Sequence, residues 1–137
     1  MAFDPDRYEG LAGFRYALRR FLANSEAISR ASGITAQQYQ ALLALGCASV
    51  PQTMKDLAEQ LMFQPHAAVQ LVNRLQKLEL VERQRSPKDG RSVLLRLTAR
   101  GEEMLEGLAD KHLAEMLKQE PMLSRSLGRL KQAAGLE

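Results

Sequence analysis

The stretch from Thr53 to Gly101, TMKDLAEQLMFQPHAAVQLVNRLQKLELVERQRSPKDGRSVLLRLTARG, decides the fold of this chain. Two short segments with helical spacing of apolar residues come first. Two runs of strand-like composition follow, separated by a tip rich in turn residues. This order predicts a helix-turn-helix followed by a β-hairpin wing. Between residues 83 and 100 a single acid, Asp89, stands among six basic residues, Arg83, Arg85, Lys88, Arg91, Arg96 and Arg100.

The distribution of charge along the chain predicts a nucleic-acid partner. Residues 1–50 hold five basic and four acidic residues, residues 51–100 hold nine and five, and residues 101–137 hold five and seven. The positive excess therefore lies in the middle third, as expected for a surface that contacts the phosphate backbone of double-stranded DNA. Chance clustering on a solvated face is the alternative explanation.

Composition restricts the class of protein. With 45% hydrophobic and 26% charged residues, the 137-residue chain has the composition of a globular protein. It contains no apolar run of about 18 residues, so no membrane span is expected. The first ten residues lack the features of a signal peptide, and the single cysteine, Cys47, excludes an intramolecular disulfide. We therefore expect a cytoplasmic protein.

The second helix of the helix-turn-helix is predicted to run from Pro65 to about Leu78. Proline suits the first turn of a helix, and Gln64 is a plausible but weak N-cap. Apolar residues at helical spacing face the core, and small, polar or basic residues fall elsewhere. An ordinary polar surface explains that face equally well. The candidate DNA-binding residues of this recognition helix are Gln64, His66, Ala67, Gln70, Arg74 and Lys77.

The wing is predicted from residues 80–85 and 93–97, which favour strands, and from the turn residues between them. A basic loop at its tip can enter a minor groove, where narrow A·T-rich DNA concentrates negative potential. The candidate DNA-binding residues of the wing are Arg83, Arg85, Lys88 and Arg91.

Long helices are predicted on both sides of this unit. The first begins at Pro5, with Asp4 as its N-cap, and ends near Gly33. The last begins after Thr98, and Pro121 is expected to break it, leaving a short final segment. Apolar stripes on the terminal helices predict a two-fold homodimer. The candidate dimerisation residues are Leu11, Phe14, Leu18, Phe21, Leu123, Leu127 and Leu130.

The predicted fold is therefore mainly α with a small β-hairpin wing (α+β). A winged helix-turn-helix unit occupies residues 34–100. Residues 1–33 and 101–137 form a helical dimerisation region.

These residues resemble the MarR family of bacterial winged helix-turn-helix regulators. The resemblance covers nearly the whole chain and is most specific in the pattern D-R-L … L-V-x-R … D-x-R … L-T-x-x-G. In this sequence the corresponding segments are Asn73-Arg74-Leu75, Leu80-Val81-Glu82-Arg83, Asp89-Gly90-Arg91 and Leu97-Thr98-x-x-Gly101.

The resemblance implies a homodimeric transcriptional regulator, most often a repressor, whose recognition helices enter successive major grooves of a pseudo-palindromic operator. It places Arg91 in the adjacent minor groove and gives Asp89 the role of positioning the wing. It also implies a small aromatic or phenolic effector that releases the DNA. The candidate effector-pocket residues are Phe14, Tyr16, Phe21 and Tyr39.

The chain departs from the family pattern at three places. Asn73 replaces the usual aspartate, which we expect to change how Arg74 is held. Glu79 replaces the glycine that usually ends the recognition helix, so the turn there is expected to be built differently. The recognition helix also begins without the usual serine or threonine residues, so operator sequences cannot be transferred from relatives.

Other functions are weaker alternatives. A winged helix used only for protein assembly is the main rival, because fold alone does not dictate function. Redox sensing through Cys47 is a second, although the thiol is expected to be buried and inert. His66 and His112 form no cluster with other ligands, and no catalytic motif is present, so no metal, cofactor or enzyme activity is expected. His66 is expected to face DNA, and His112 to lie on a dimer-helix surface or in a ligand pocket.

Overall fold

The structure, a computed structural model, describes residues 3–136. Along the chain the elements are α1 (Pro5–Ala31), α2 (Ala36–Cys47), β1 (Gln52–Thr53), α3 (Met54–Leu61), α4 (Pro65–Lys77), β2 (Val81–Arg85), β3 (Val93–Leu97) and α5 (Ala99–Ala133). They belong to two compact units. Residues 29–109 form the winged unit, and residues before 29 and after 109 form the helical unit. The predicted boundaries differ, since they follow residue 33, just beyond α1, and residue 100, in the first turn of α5.

The winged unit is built around a small apolar core. Leu42 of α2, Leu57 of α3 and Leu75 of α4 are almost completely buried in it, together with apolar residues of the sheet. Helices α2 and α3 begin with the predicted capping boxes, at Thr35 and Thr53. At α3 the backbone N–H of Thr53 donates to the Asp56 carboxylate, which lowers the pKa of that carboxyl. These caps fix where each helix of the core begins.

The wing is an antiparallel hairpin, as the sequence predicts. Strands β2 and β3 pair from Val81 opposite Leu97 to Arg85 opposite Val93. The other edge of β3 pairs with β1, where Gln52 lies opposite Leu95, so the sheet order is β1-β3-β2. The sequence does not predict β1, because two residues are too few to show an alternating pattern.

In the helical unit, α1 and α5 pack antiparallel through small and polar side chains. A Cβ on Gly10 would lie 3.0 Å from the Leu130 side chain, so the helices approach closely there. Further along, Ser25 Oγ and His112 Nε2 form a hydrogen bond of 2.7 Å, and both side chains are buried. The prediction that His112 lies on a helix surface is therefore wrong, because it packs between two helices of the same chain.

Helix α5 continues through Pro121, so the predicted break at this residue is wrong. A proline inside a helix lacks one backbone hydrogen bond and costs about 3 kcal/mol. The segment after Pro121 nevertheless packs along the start of α1, where Arg129 pairs with Asp6 at 3.2 Å and with Glu9. The hydrogen bond to Asp6 raises the pKa of Arg129. Packing against α1 therefore outweighs the low helix propensity of proline. That propensity was the only basis in the sequence for predicting a break at Pro121.

Candidate nucleic-acid interface

Helix α4 presents a polar face opposite the core. Its buried residues are Ala68, Leu71, Val72 and Leu75, which recur at helical spacing and fix the orientation of the helix. Gln64 occupies the N-cap position but makes no side-chain cap hydrogen bond, and Pro65 begins the helix. Of the predicted recognition residues Ala67 is half-buried, and the exposed ones are Gln64, His66, Gln70, Arg74 and Lys77.

The end of α4 is a Schellman turn centred on Glu79. The N–H of Leu80 donates to the carbonyl of Leu75, and the N–H of Glu79 donates to that of Gln76. Glu79 itself is left-handed, with φ of 61°. The expectation that Glu79, in place of glycine, would require a different type of turn is therefore wrong. Thr98 Oγ1 donates to the Glu79 carbonyl at 2.7 Å, which helps to offset the cost of about 1 kcal/mol for this conformation.

The tip of the wing is organised by Asp89. One carboxylate oxygen accepts from the backbone N–H of Arg91 at 3.0 Å, and the other accepts from Ser92 Oγ at 3.1 Å. The backbone N–H of Ser92 donates to the Asp89 carbonyl. These contacts fix the backbone that carries the exposed side chain of Arg91. The four basic residues predicted for the wing, Arg83, Arg85, Lys88 and Arg91, are all exposed.

The side chain of Arg83 connects the wing to the recognition helix. Its Nη2 donates to Asn73 Oδ1 of α4 at 2.7 Å. The expectation that Asn73 would act on Arg74 is therefore corrected, because Asn73 instead holds an arginine of β2. Asn73 is not among the DNA-binding residues predicted from the sequence, although its departure from the family pattern marks the position.

A sequence profile described as MarR family matches residues 32–92. The winged unit described above occupies the same part of the chain. The structure also resembles that of a mutant MarR from Escherichia coli, with a TM-score of 0.68 and 26% identity over 77% of this chain and 76% of that one. The profile match and this structure support a MarR family winged helix regulator.

Other solved structures share the fold of this chain. AbsC from Streptomyces coelicolor, a MarR family transcriptional regulator, has a TM-score of 0.78 at 21% identity, covering 97% of this chain and 92% of AbsC. The E. coli MarR mutant has also been solved in complex with operator DNA, at a TM-score of 0.67 and 26% identity, covering 77% and 74% of the two chains. No curated protein sequence matches the chain. Together the comparisons support a MarR family transcriptional regulator with a winged helix DNA-binding fold.

The predicted dimerisation residues differ in exposure. Phe14, Phe21, Leu123 and Leu130 are half-buried within the chain. In contrast, Leu11, Leu18 and Leu127 are more than two-fifths exposed. Further exposed apolar side chains of the helical unit, which the prediction did not include, are Tyr8, Leu22, Leu113, Met116 and Leu117.

The four aromatic residues predicted for an effector pocket are divided between the two units. Phe14 and Phe21 are half-buried and Tyr16 is 48% exposed, all three in the helical unit. Tyr39 is buried in the winged unit, where burial raises the pKa of its phenol. The winged unit also contains an open cavity of about 560 Å³, with Leu45, Leu94, Leu97 and Leu105 among its apolar lining residues and Gln52 and Gln84 among its polar ones.

Cys47 is exposed at the end of α2, so the prediction of a buried thiol is wrong. The helix ends at this residue, and no later turn of α2 covers the side chain. Among residues 3–136 no three histidine, cysteine or acidic side chains are grouped so that they could hold a metal ion. In the same part of the chain, no helix combines the length and the apolarity needed to cross a bilayer.

Proposed function

We propose that this MarR family protein is a homodimeric repressor that binds a pseudo-palindromic operator and is released by a small aromatic or phenolic effector. The observation that carries DNA binding is the exposed polar face of α4 beside a wing with four exposed basic residues, all within one compact unit. The proposal involves no catalytic step. Because the target is chromosomal DNA, we place the protein in the bacterial cytosol.

Each winged unit would insert α4 into a major groove. The exposed residues in its first two turns, His66 and Gln70, are placed to contact base edges, whereas Arg74 and Lys77 are placed to contact phosphates. The wing residue Arg91 would enter the neighbouring minor groove. In a two-fold dimer the two recognition helices must then lie roughly 34–36 Å apart to reach successive major grooves.

The dimer is supported by the apolar side chains that the helical unit exposes on both of its helices. Leu18, Leu22 and Leu117 are 41%, 53% and 66% exposed, and each would lose unfavourable contact with water on pairing. Both α1 and α5 carry such residues repeatedly along their length, and a two-fold interface between copies could bury them.

Effector release is supported by the cavity of the winged unit. Its lining residues come from the end of α2 and the segment after it, from all three strands and from the beginning of α5. A ligand bound there would favour one position of the wing relative to α5, and so one spacing of the two recognition helices.

Fluorescence anisotropy tests the central claim. The purified protein is titrated onto DNA from its own upstream intergenic region and onto scrambled DNA, across a series of salt concentrations. We expect tighter binding to the upstream DNA and a steep loss of affinity with salt. Absence of binding to either DNA at low salt would contradict the proposal and favour the role in protein assembly.

Arg91→Ala should weaken binding about 30-fold, because the side chain is exposed and its backbone is held by Asp89 for insertion into the minor groove. Binding is measured by anisotropy, and the melting temperature by circular dichroism should stay within about 2 °C of wild type. The control is Arg96→Ala in the same wing, whose guanidinium already pairs with Glu82. An equal loss in both variants would refute the assigned role of Arg91.

Gln70→Ala should lower the preference for operator over scrambled DNA about tenfold while changing affinity for scrambled DNA little. The side chain is exposed on the outward face of α4 and can form paired hydrogen bonds with adenine in the major groove. The ratio of the two dissociation constants is the measured quantity. If both constants rise by the same factor, Gln70 contacts phosphate rather than a base.

A further inference from the structure

The hydrogen bond between Arg83 and Asn73 determines which kind of ligand atom this pair of side chains can bind. Arginine only donates hydrogen bonds, so the atom that accepts at 2.7 Å must be the amide oxygen of Asn73. The N–H groups that remain on the amide and on the guanidinium are all donors. The pair is therefore suited to binding a ligand that accepts hydrogen bonds, and both side chains are exposed.

Two other arginines near the wing are held differently. Arg96 Nη1 donates to the amide oxygen of Gln84 at 3.1 Å, but its Nε also lies 3.7 Å from the Glu82 carboxylate. Arg100 Nη1 lies 3.6 Å from the Glu79 carboxylate. A carboxylate cancels the charge of the arginine it holds. The amide of Asn73 orients Arg83 without cancelling its charge, so this guanidinium keeps its attraction for an anion.

The position of the pair places it beside the proposed DNA surface. Asn73 follows Gln70 by three residues and precedes Lys77 by four, so the three side chains share one face of α4. Arg83 belongs to β2, at the base of the wing. The charge of Arg83 therefore lies at the junction of the two elements that would enter neighbouring grooves, where the phosphate backbone passes between them.

We propose that Asn73 is a positioning residue that makes Arg83 a preorganised binding group for one DNA phosphate. The proposal rests on the DNA-binding function proposed above. Holding the guanidinium in place before binding lowers the entropy lost when the phosphate contact forms. It follows that aspartate at position 73, the usual residue of the family pattern, would neutralise Arg83 and weaken DNA binding in this chain.

Asn73→Asp is the direct test, using anisotropy on operator and scrambled DNA across a salt series. We expect about tenfold weaker binding to both DNAs at moderate salt, and a plot of log affinity against log salt that is shallower by about one unit. Asn73→Leu should weaken binding only about threefold and leave the salt slope unchanged, since Arg83 keeps its charge but loses its orientation. Unchanged melting temperatures would confirm that each variant is folded.

Two further variants separate this role from simple charge repulsion or packing. Gln76→Asp introduces the same charge on an exposed residue of α4 and should weaken binding no more than about twofold. In the Arg83→Ala background, Asn73→Leu should have no further effect, because the group that it positions is absent.

Three outcomes would overturn the proposal. The first is an Asn73→Asp protein that binds with the affinity and salt slope of wild type. The second is an Asn73→Leu change that weakens binding equally with and without Arg83. A changed ratio of operator to scrambled affinity would instead show that Asn73 reads a base. If wild-type protein binds neither DNA, the proposed function itself fails; if wild type binds but the variants behave as just described, only the role of Asn73 fails.

Discussion

Gly101→Ala should destabilise the winged unit by about 3 kcal/mol or more. A Cβ at this position would lie 2.0 Å from the carbonyl oxygen of Leu80 and 3.0 Å from its carbonyl carbon. Both are backbone atoms, so no side-chain rotation can relieve the clash. The same carbonyl accepts the backbone N–H of Thr98 at 3.1 Å, and Thr98 Oγ1 accepts the N–H of Gly101 at 2.9 Å. Moving α5 away would break the contacts that fix its first turn.

Thermal unfolding followed by circular dichroism is the measurement. A loss of this size corresponds to a melting temperature lower by about 10 °C or more at equal protein concentration. Gly107→Ala is the matched control in the same helix, because no atom lies within 4 Å of a Cβ there. This control should be neutral or stabilising by up to about 1 kcal/mol, as expected for alanine in a helix. Equal stability of the two variants would show that α5 does not need this close approach.

Leu18→Glu should dissociate the proposed dimer and reduce operator affinity about 1,000-fold. Leu18 is 41% exposed on α1, in line with the exposed side chains of Leu11 and Leu22. Burying an unpaired carboxylate at an apolar interface costs several kcal/mol, which exceeds what a small interface can offset. A monomer would then contact only one half-site, and the gain from simultaneous binding of two linked units would be lost.

Sedimentation equilibrium measures the oligomeric state, and anisotropy measures the affinity. Ala23→Glu is the control, since Ala23 is also exposed but lies about 140° around α1 from Leu18. We expect this control to remain dimeric and to bind the operator. A Leu18→Glu protein that stays dimeric and folded would place the interface on other residues.

Local signals in the sequence were sufficient for most helix and strand boundaries. The capping boxes at Thr35 and Thr53 and the proline at position 65 determine helix starts through atoms within three residues. The turn residues between β2 and β3 similarly predict the hairpin. These interactions are short in range, so the same chemistry operates in the isolated segment and in the folded chain.

Other expectations failed where distant residues decide the conformation. Pro121 remains helical because α5 packs on α1 beyond it, and Glu79 accepts a left-handed backbone because Thr98 bonds to its carbonyl. His112 is buried by Ser25, which lies 87 positions away in the chain. No local pattern contains such contacts, and their energies are large enough to exceed the propensity of one residue.

The sequence by itself therefore determined the class of fold, the position of the recognition helix and wing, and the concentration of positive charge on them. Composition, periodicity and turn chemistry are properties of neighbouring residues, so they could be identified without coordinates. Only the tertiary structure decided that Asn73 holds Arg83 while Glu82 and Glu79 hold Arg96 and Arg100. Which charges are cancelled depends on distances of a few ångströms between elements, because the strength of an ion pair falls with separation and is screened by water.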